Sequence, residues 1–226
     1  MKTSSKPSPK NILVIDVGGT NLKIHAKGGG EIVKIPSGPK MTAAQMARAV
    51  KKVAANWHFD VVSIGYPGPV INGRPACEPH NLGGGWVKFD FRKAFGRPVK
   101  IINDAAMQAL GSHHGGRCLF LGLGTGLGSA LAIDNHVLPL ELAHLPYKKN
   151  GTYEQYLGAA GLERDGKRKW TKHVEEVVAL LKSAFLADYV VLGGGNARLL
   201  KKFPPNVELG TNANAITGGK RLWRES

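Results

Sequence analysis

Short apolar runs that end in glycine or a carboxylate dominate the pattern of hydrophobic and polar positions. Ile12–Ile15 predicts a buried strand that ends at Asp16 and two glycines, after which apolar and polar residues alternate again. Strand, glycine turn and strand together predict a β-hairpin over residues 11–24. Cys118–Leu121 and Ser129–Ile133, which flank a second glycine-rich turn, predict a second hairpin.

The other apolar segments predict two amphipathic helices and several short elements. Thr42 and Gln45 form a capping box, and apolar residues at helical spacing follow, so a helix is predicted over 43–57. Val174–Phe185 predicts a second periodic helix, with Thr171 as its cap. Residues 71–98 show little periodicity and read as a long loop. Further strands are predicted at 31–35, 61–64, 99–102, 137–142 and 189–192, and short helices at 105–113, 198–202 and 212–222.

The two halves of the chain repeat this order. An offset of 106 residues superimposes the hairpins and pairs Asp16 with Gly122 and Gly18 with Gly124. The repeat predicts an α/β protein of two βββαβα lobes that face one another across a closable cleft. One lobe is expected at 11–103 plus the C-terminal helix 212–226, and the other at 104–211. Residues 1–10 are expected to form a disordered tail.

The cysteine content and the lengths of the apolar runs indicate the cellular compartment of the protein. The 226 residues include only two cysteines, Cys77 and Cys118, which are too far apart for a disulfide framework or a zinc spacing. No apolar run approaches the roughly 20 residues of a membrane span, and the first ten residues do not resemble a signal peptide. The sequence therefore predicts a cytoplasmic protein without a membrane segment.

The charge is large and uneven. The chain carries a net charge of +15, to which residues 1–104 contribute +10, residues 105–144 contribute −1 and residues 145–226 contribute +6. Such a balance suits a polyanionic partner, namely nucleic acid, polyphosphate or an acidic surface. The alternative is a surface that only keeps the protein in solution. The chain has no zinc finger, no Walker A motif and no dinucleotide fingerprint, because Leu127, Ser129 and Leu131 interrupt each possible glycine register.

The glycine hairpins suit a bound phosphate. Gly18 and Gly19 have no Cβ, so a ligand can approach the backbone amides, and Thr20 adds a hydroxyl group. Asp16 can hold Mg²⁺, directly or through water. The alternative is that the glycines serve the turn geometry alone. The repetition of the hairpin favours the phosphate interpretation.

Five motifs follow one another along the chain: Asp16-Val-Gly-Gly-Thr-Asn, Asn103-Asp104-Ala, Leu123-Gly-Thr-Gly-Leu-Gly, Glu141-Leu-Ala-His144 and Leu192-Gly-Gly-Gly-Asn. Together they resemble a known family, the ROK sugar kinases of the actin-like ATPase superfamily, and within it the polyphosphate glucokinase branch. The resemblance spans nearly the whole chain in family order. It implies a two-lobed, ribonuclease H-like fold, 6-phosphorylation of a hexose in the interlobe cleft, Mg²⁺, polyphosphate and/or ATP as donor, and a homodimer.

The resemblance implies a catalytic base and several sugar contacts. Asp104 matches the base that takes the proton from the 6-hydroxyl group of the sugar. The alternative is that Asp104 only caps the helix that follows it. Asn103 and Asn81 match contacts to sugar hydroxyl groups, and Gly65 lies at a strand end that borders the sugar.

Further sugar contacts are implied in the second half. Glu141 and His144 match a family pair that contacts hydroxyl groups near the anomeric carbon, although Ala143 stands where the family has glycine. Glu154 matches another sugar-binding glutamate. The alternative is an exposed strand residue at 141 and a turn histidine at 144. Residues 145–165 lack the cysteines of the family's zinc loop, so no structural zinc is expected.

The donor contacts follow from both hairpins and a third glycine motif. Thr20 and Thr125 add hydroxyl donors, whereas the role of Lys23 is open. Gly193–Asn196 would border the ribose and base of ATP, or would form only a strand-to-helix turn. The full set of expected phosphate and nucleotide contacts is Asp16, Gly18, Gly19, Thr20, Asn21, Gly124, Thr125, Gly126, Gly193, Gly194, Gly195 and Asn196.

Several alternatives stay open. Glucose is not distinguished from mannose or N-acetylglucosamine, and the net charge favours polyphosphate whereas the third glycine motif favours ATP. A sugar-sensing or transcriptional ROK protein is disfavoured, because the first motif strand begins near residue 11 and leaves no room for a DNA-binding segment. A nucleic-acid-binding module would leave the paired hairpins unexplained. The expected partners are a hexose and a phosphoryl donor, and neither DNA nor a membrane.

Overall fold

The computed structural model describes residues 11–26, 30–134, 136–211 and 213–224. The tail expected at 1–10 lies outside the described residues. The chain forms two compact units, of which the first runs to Asp104 and resumes at Gly219, and the second comprises Ala105–Gly218. Within the described residues, no helix is both long enough and apolar enough to span a membrane.

A five-stranded sheet forms the centre of the first unit. Its strands are β1 (Ile12–Val17), β2 (Asn21–His25), β3 (Val33–Pro36), β4 (Val61–Tyr66) and β7 (Val99–Asn103). They lie in the order β3-β2-β1-β4-β7. The first three form an antiparallel meander, and β4 and β7 run parallel to β1.

The core of this unit is formed by the sheet and helix α1 (Ala43–Val53). β4 is buried along its whole length, and Met46 and Val50 of α1 are fully buried beside it in the same core. Thr42 caps α1 through the predicted capping box. The helix ends four residues before the predicted end, because Ala54 closes it and Trp57 packs onto the core from a turn.

The predicted loop at 71–98 has regular structure. It contains a two-stranded ribbon of β5 (Val70–Ile71) and β6 (Arg74–Pro75) and a short helix α2 (Phe91–Phe95) capped by Asp90. These elements are too short to give a periodic pattern, which is why the sequence did not reveal them.

The second unit repeats the architecture of the first. Its strands are β8 (Arg117–Leu123), β9 (Leu127–Ile133), β10 (His136–Leu140), β11 (Tyr189–Gly193) and β12 (Val207–Leu209). The order β10-β9-β8-β11-β12 again combines an antiparallel meander with two parallel strands. The predicted duplicated α/β fold is therefore confirmed. β12 was not predicted, since Val207 is its one buried residue.

Four α-helices complete this part of the chain: α3 (Asp104–Ser112), α4 (Tyr153–Leu157), α5 (Ala159–Ala184) and α6 (Ala213–Arg221). The predicted start of the long helix was wrong, because Thr171 lies inside α5 and does not cap it. Gly161 and Trp170 are the only buried residues in the first half of α5, so no apolar period marked it. Gly166, with φ of 68°, interrupts the helix.

The C-terminal helix is divided between the units. Within the second unit, Gly218 packs so closely against the carbonyl of Met107 that a Cβ would overlap it. Within the first unit, Gly219 packs in the same way against Val14. The hydroxyl of Ser63 donates to the carbonyl of Gly219 (2.6 Å) and accepts from the indole N–H of Trp223 (2.9 Å). The sequence-based boundary placed the whole helix in the first lobe, whereas residues up to Gly218 belong to the second unit.

Candidate active site

Three parallel strands of the first sheet end at the same edge with candidate residues. Asp16 on β1 pairs with Gly65 on β4, and Gly65 pairs with Ile102 on β7, one residue before Asn103. Neighbouring strands lie about 4.8 Å apart, so Asp16 and Asn103 are roughly 10 Å apart across the edge. Open α/β sheets bind ligands beyond the carboxyl ends of their parallel strands. The sheet therefore brings Asp16, Gly65, Asn103 and Asp104 to one such edge.

Asp16 is a buried carboxylate with one cationic neighbour. Its side chain is 8% exposed, and the ammonium group of Lys23 lies 3.2 Å from Oδ2. Burial raises the pKa of Asp16 above its ordinary value, and the charge of Lys23 opposes that rise. Asp16 and Lys23 are direct partners in the register of β1 and β2. This register places Lys23 on the same face as Asp16, which the sequence left open.

The turn of the first hairpin is held by a hydrogen bond within the hairpin and by two hydrogen bonds from Ser37. The N–H of Gly18 donates to the carbonyl of Asn21 (3.2 Å), so this amide serves the turn. A Cβ on Gly18 would lie 2.7 Å from the same carbonyl oxygen, and the turn therefore requires glycine. Ser37 donates its hydroxyl to the carbonyl of Gly18 (2.6 Å) and its N–H to that of Thr20 (2.9 Å). This contribution from Ser37 was not predicted from the sequence.

Asn81 lies beside this hairpin. A Cβ on Gly19 would be 3.1 Å from the Cβ of Asn81, so the two backbones approach closely. The loop that carries Asn81 is closed by Glu78, whose carboxylate accepts from the N–H groups of Trp86 (3.0 Å) and Val87 (3.2 Å). Trp86 is fully buried and anchors the end of the loop. Glu78 was not singled out from the sequence, because its partners are backbone groups.

Asn103 and Asp104 stand where β7 gives way to α3. Asn103 is 8% exposed, and its amide donates to the carbonyl of Gly68 (3.2 Å). Asp104 is the first residue of α3, where the helix dipole favours a carboxylate. This position is compatible with a helix-stabilising role of Asp104 and with a catalytic role.

In the second unit, the other hairpin meets the third glycine motif. Gly122 and Gly193 are register partners on β8 and β11. The side-chain amide of Asn196 donates to the carbonyl of Gly124 (3.1 Å). Gly194 has a φ of 81° and packs against the backbone of Leu123 with no space for a Cβ. The structure thus brings Gly124–Gly126 and Gly193–Asn196 together. The turn is tighter than predicted, because β8 and β9 pair up to residues 123 and 127.

Glu154 also contacts this hairpin. Its Oε2 accepts from the N–H of Leu127 (3.2 Å), and a Cβ on Gly126 would overlap the same carboxylate. The helix that carries it, α4, begins with a capping box at Thr152. Glu154 was expected as a sugar contact, and that role stays a prediction. Its contact with the hairpin was not foreseen.

Glu141 and His144 lie on an exposed turn after β10. Their nearest side-chain atoms are 4.0 Å apart, so they do not hydrogen-bond to each other. The turn is fixed by Ser129, which is buried, donates to the carbonyl of Leu140 (2.8 Å) and accepts from the N–H of Leu142 (3.2 Å). Ser129 therefore holds the peptide groups on both sides of Glu141, a contact between strands that the sequence could not show.

The residues present fit a magnesium ion that is shared with a substrate. Among the residues that the structure describes, no cluster of three or more His, Cys, Asp or Glu could form an all-protein metal site. Mg²⁺ in phosphoryl-transfer enzymes needs only one or two carboxylates, because substrate phosphates and water supply the other ligands. The buried carboxylate of Asp16, at the end of β1 and beside a glycine turn, suits such a site.

Comparisons with known proteins agree with this geometry. Residues 12–139 match the model of the ROK family. A polyphosphate glucokinase of Mycobacterium tuberculosis is 27% identical over 217 residues, which cover 86% of this chain and 81% of that protein. Among solved structures, an inorganic polyphosphate/ATP-glucomannokinase from Arthrobacter sp. strain KM gives a TM-score of 0.77 at 26% identity, with 95% of this chain and 97% of that chain covered. A ROK hexokinase from Thermus thermophilus shares the fold, with a TM-score of 0.72 at 22% identity and coverage of 94% and 97%.

Proposed function

The chain belongs to the ROK family, and we propose that it is a kinase that transfers a phosphoryl group from inorganic polyphosphate and/or ATP to the 6-hydroxyl group of glucose. The names of the Mycobacterium and Arthrobacter relatives support both donors and the hexose acceptor. An ATP-dependent kinase for another hexose, such as mannose or N-acetylglucosamine, is the alternative within the same site. A non-catalytic sugar-sensing protein is the alternative outside it.

One observation carries the proposal. The first sheet brings a buried carboxylate beside a glycine turn, Asp16, and a second carboxylate, Asp104, to the same edge. Phosphoryl transfer to a hydroxyl group requires charge neutralisation near the phosphates and a base near the hydroxyl. Two carboxylates at the ends of different strands can serve these two tasks separately.

Asp104 acts as the base. Its carboxylate takes the proton from the 6-hydroxyl group while that oxygen forms its bond to phosphorus. The bond from phosphorus to the rest of the donor breaks, and the negative charge leaves with the donor. Asn103 and Asn81 hold sugar hydroxyl groups, and Gly65 leaves room for the sugar because it has no side chain. Asn103 is oriented for this by its bond to Gly68.

The second group of sugar contacts comes from the second unit. Glu141 and His144 bind hydroxyl groups near the anomeric carbon, on the turn that Ser129 holds. Glu154 binds the sugar with the carboxylate oxygen that does not contact Leu127. The exposure of Glu141 and His144, 52% and 74%, leaves both side chains accessible to a ligand.

The glycine hairpins bind the donor. Thr20 and Thr125 donate hydroxyl hydrogen bonds to its phosphates, and the backbone of Gly124–Gly126 approaches them closely. Gly193–Asn196 borders the ribose and base when ATP is the donor. Asp16 would hold Mg²⁺, which neutralises phosphate charge when bound. Lys23 favours the charged form of Asp16 that a metal requires.

The location and assembly of the protein belong to the same proposal. The thiols of Cys77 and Cys118 are both free, which fits a reducing compartment such as the cytoplasm. The homodimer rests on the resemblance to ROK kinases. DNA is not an expected partner under this proposal.

The experiment compares two Asp→Asn variants. Asp104→Asn removes the base and is expected to lower kcat about 10²–10⁴-fold. Asp90→Asn is the matched control, because Asp90 caps α2 through the N–H of Lys93 (2.9 Å) and asparagine caps a helix equally well. We expect the control to keep its kcat and both variants to keep their melting temperatures. Equal turnover in the two variants would contradict the role of Asp104, and hexose binding without any phosphoryl transfer by the wild type would favour the sensing alternative.

A further inference from the structure

The first sheet has an open edge at β7. The N–H of Val62 on β4 donates to the carbonyl of Pro98 (2.9 Å), immediately before β7. Successive residues of a strand direct their backbone N–H and C=O groups to opposite edges, so Val99 and Ile101 face away from β4. Within the described residues, no strand lies beyond β7, and no hydrogen bond reaches the outward groups of Val99 and Ile101.

These outward groups lack the partners that such groups normally have. Val99 and Ile101 are only 8% and 7% exposed. Backbone groups of residues so little exposed are nearly always hydrogen-bonded. Each of the two residues contributes one donor and one acceptor, and they are two positions apart on the strand, about 6.6 Å. This alternation of donors and acceptors fits the backbone of an added strand.

A groove follows this edge. It has a volume of about 780 Å³ and is lined by β7, by the β5–β6 ribbon and by residues 87–92. Four consecutive residues of β7, 99–102, belong to the lining, so the groove gives access to the strand along most of its length. Val87, which is 36% exposed, and partly buried Phe89 add apolar surface. All three segments belong to the first unit, which therefore contains the whole groove.

The groove carries an excess of positive charge. Arg74 on the ribbon, Lys88 and Arg92 line it, and all three are exposed. None of them forms an ion pair with any residue that the structure describes. The carboxylate in the lining, that of Asp90, caps α2. The groove is therefore complementary to a negatively charged segment.

The other sheet edges are protected against strand addition, and β7 is not. β3 ends in Pro36, β10 contains Pro139, and β12 is only three residues long. Proline, short length and outward lysines are the usual protections of an edge. β7 contains no proline, and its Lys100 turns back to the C-terminal segment, where the ammonium group donates to the carbonyl of Leu222 (2.6 Å) and lies 4.7 Å from the ring centre of Trp223.

We propose that the groove beside β7 binds an extended, acidic segment of a partner protein, which adds to the first sheet as a sixth strand. A small anion would use the cations and the N–H groups, but it would leave the carbonyl oxygens of Val99 and Ile101 without donors. A second copy of this chain carries a net charge of +15, and residues 1–10 carry three lysines and no acidic residue, so both would be repelled. The inference is independent of the proposed function.

The first test follows the backbone amides of β7. A synthetic heptapeptide of alternating glutamate and valine is added to the full chain, and amide hydrogen exchange is measured by NMR. We expect the exchange of the N–H groups of Val99 and Ile101 to slow about tenfold or more. Lys100 and Ile102 are controls within the same strand, because their N–H groups already face β4. A peptide that does not bind, or that binds without slowing the two outward amides, would overturn the proposal.

Two triple variants test the charge of the groove, with binding followed by the fluorescence anisotropy of the labelled peptide. The groove variant is Arg74→Gln/Lys88→Gln/Arg92→Gln. The control variant, which removes three exposed cations from α1 in the same unit, is Arg48→Gln/Lys51→Gln/Lys52→Gln. We expect Kd for the peptide to rise about tenfold in the groove variant and to stay unchanged in the control. Equal weakening in both variants would reveal a general effect of net charge and refute the groove.

Two further ligands separate strand addition from the binding of an anion. The same heptapeptide with every amide nitrogen methylated keeps its charge but donates no backbone hydrogen bond, so we expect it to bind about tenfold more weakly. Tripolyphosphate at equal concentration is expected to leave the unmethylated peptide bound. Equal binding of the methylated peptide, or displacement by tripolyphosphate, would indicate an anion site and overturn the proposal. The expected pattern supports the groove whether or not the wild type transfers phosphate.

Discussion

The two units share a strand order but differ in the chemistry at their glycine hairpins. In the first unit, β1 ends in buried Asp16, which pairs with Lys23 across the hairpin. The equivalent position in the second unit is Gly122, and there the hairpin is held by the carboxylate of Glu154 and the amide of Asn196. The first hairpin thus carries its own carboxylate, whereas the second receives a carboxylate and an amide from later parts of the chain.

This difference shows that the duplication preserved the backbone and not the chemistry. A glycine turn between antiparallel strands can approach a phosphate in either unit, because it depends on geometry alone. A metal requires a carboxylate, and only the first hairpin has one at the strand end. In the proposed function, Mg²⁺ would therefore be held at the first hairpin, and phosphate contacts are proposed for both.

The largest expected effect follows from removing the charged group that distinguishes the first hairpin. Asp16→Asn should lower Mg²⁺-dependent turnover by about 100-fold or more, because the metal loses its carboxylate ligand. The same change should raise the melting temperature at pH 7, since burial disfavours the ionised form of Asp16 and asparagine does not have to ionise. Kinetics and thermal unfolding of the same preparation check both effects. A variant that is inactive and also less stable would contradict this interpretation.

The stabilisation expected from Asp16→Asn should depend on pH, and the direction of the pKa shift of Asp16 determines the sign of that dependence. Burial raises the pKa of Asp16 above its ordinary 3.8, so the folded state holds this proton to higher pH than the unfolded state. The wild type therefore loses stability as the pH rises through this interval, and the asparagine variant does not. The stabilisation should be largest at neutral pH and should vanish near pH 4. Thermal unfolding from pH 4 to pH 8 measures it, and a gain that grows toward acid would refute it.

A smaller effect is expected from the loop that supports Asn81. Glu78→Gln replaces a carboxylate that accepts two backbone hydrogen bonds, and we expect KM for glucose to rise about tenfold with little change in kcat. Glu163→Gln on α5 is the matched control, because Glu163 is exposed. Initial rates over a range of glucose concentrations separate KM from kcat. An equal fall of kcat and rise of KM would show that Glu78 does more than position the loop.

The smallest effect is expected from the corresponding support in the second unit. Ser129→Ala removes one hydroxyl that bonds on both sides of Glu141, and we expect KM for glucose to rise about threefold and unfolding to become easier by about 1–3 kcal/mol. Ser183→Ala, at an exposed position on α5, is the control. Steady-state kinetics and denaturant unfolding measure both quantities. A glucose KM that does not change would separate Glu141 from the sugar site.

The sequence predicted those parts of the fold whose signals are local. The two hairpins, the capping box at Thr42 and the duplication of the sheets all follow from glycine positions, apolar spacing and side-chain caps. The start of α5 could not be read, because Gly166 breaks the helix and its first half buries few side chains. β12 was missed for the same reason, since it is short and mostly exposed.

The candidate site was predictable only in part. The pairing of Asp16 with Lys23 could have been read from the hairpin register, because the two residues are direct cross-strand partners. The hydrogen bonds of Glu78 and Ser129 could not have been predicted, since each side chain bonds to backbone groups that only the fold brings close to it.

The most direct test is to identify the product of the wild-type protein. Purified protein is incubated with Mg²⁺, glucose, mannose or N-acetylglucosamine, and either ATP or long-chain polyphosphate, and the products are followed by ³¹P NMR. We predict glucose 6-phosphate, formed with long-chain polyphosphate and suppressed when salt is raised. Phosphorylation of none of the three sugars by either donor would contradict the assignment of this chain as a hexose kinase.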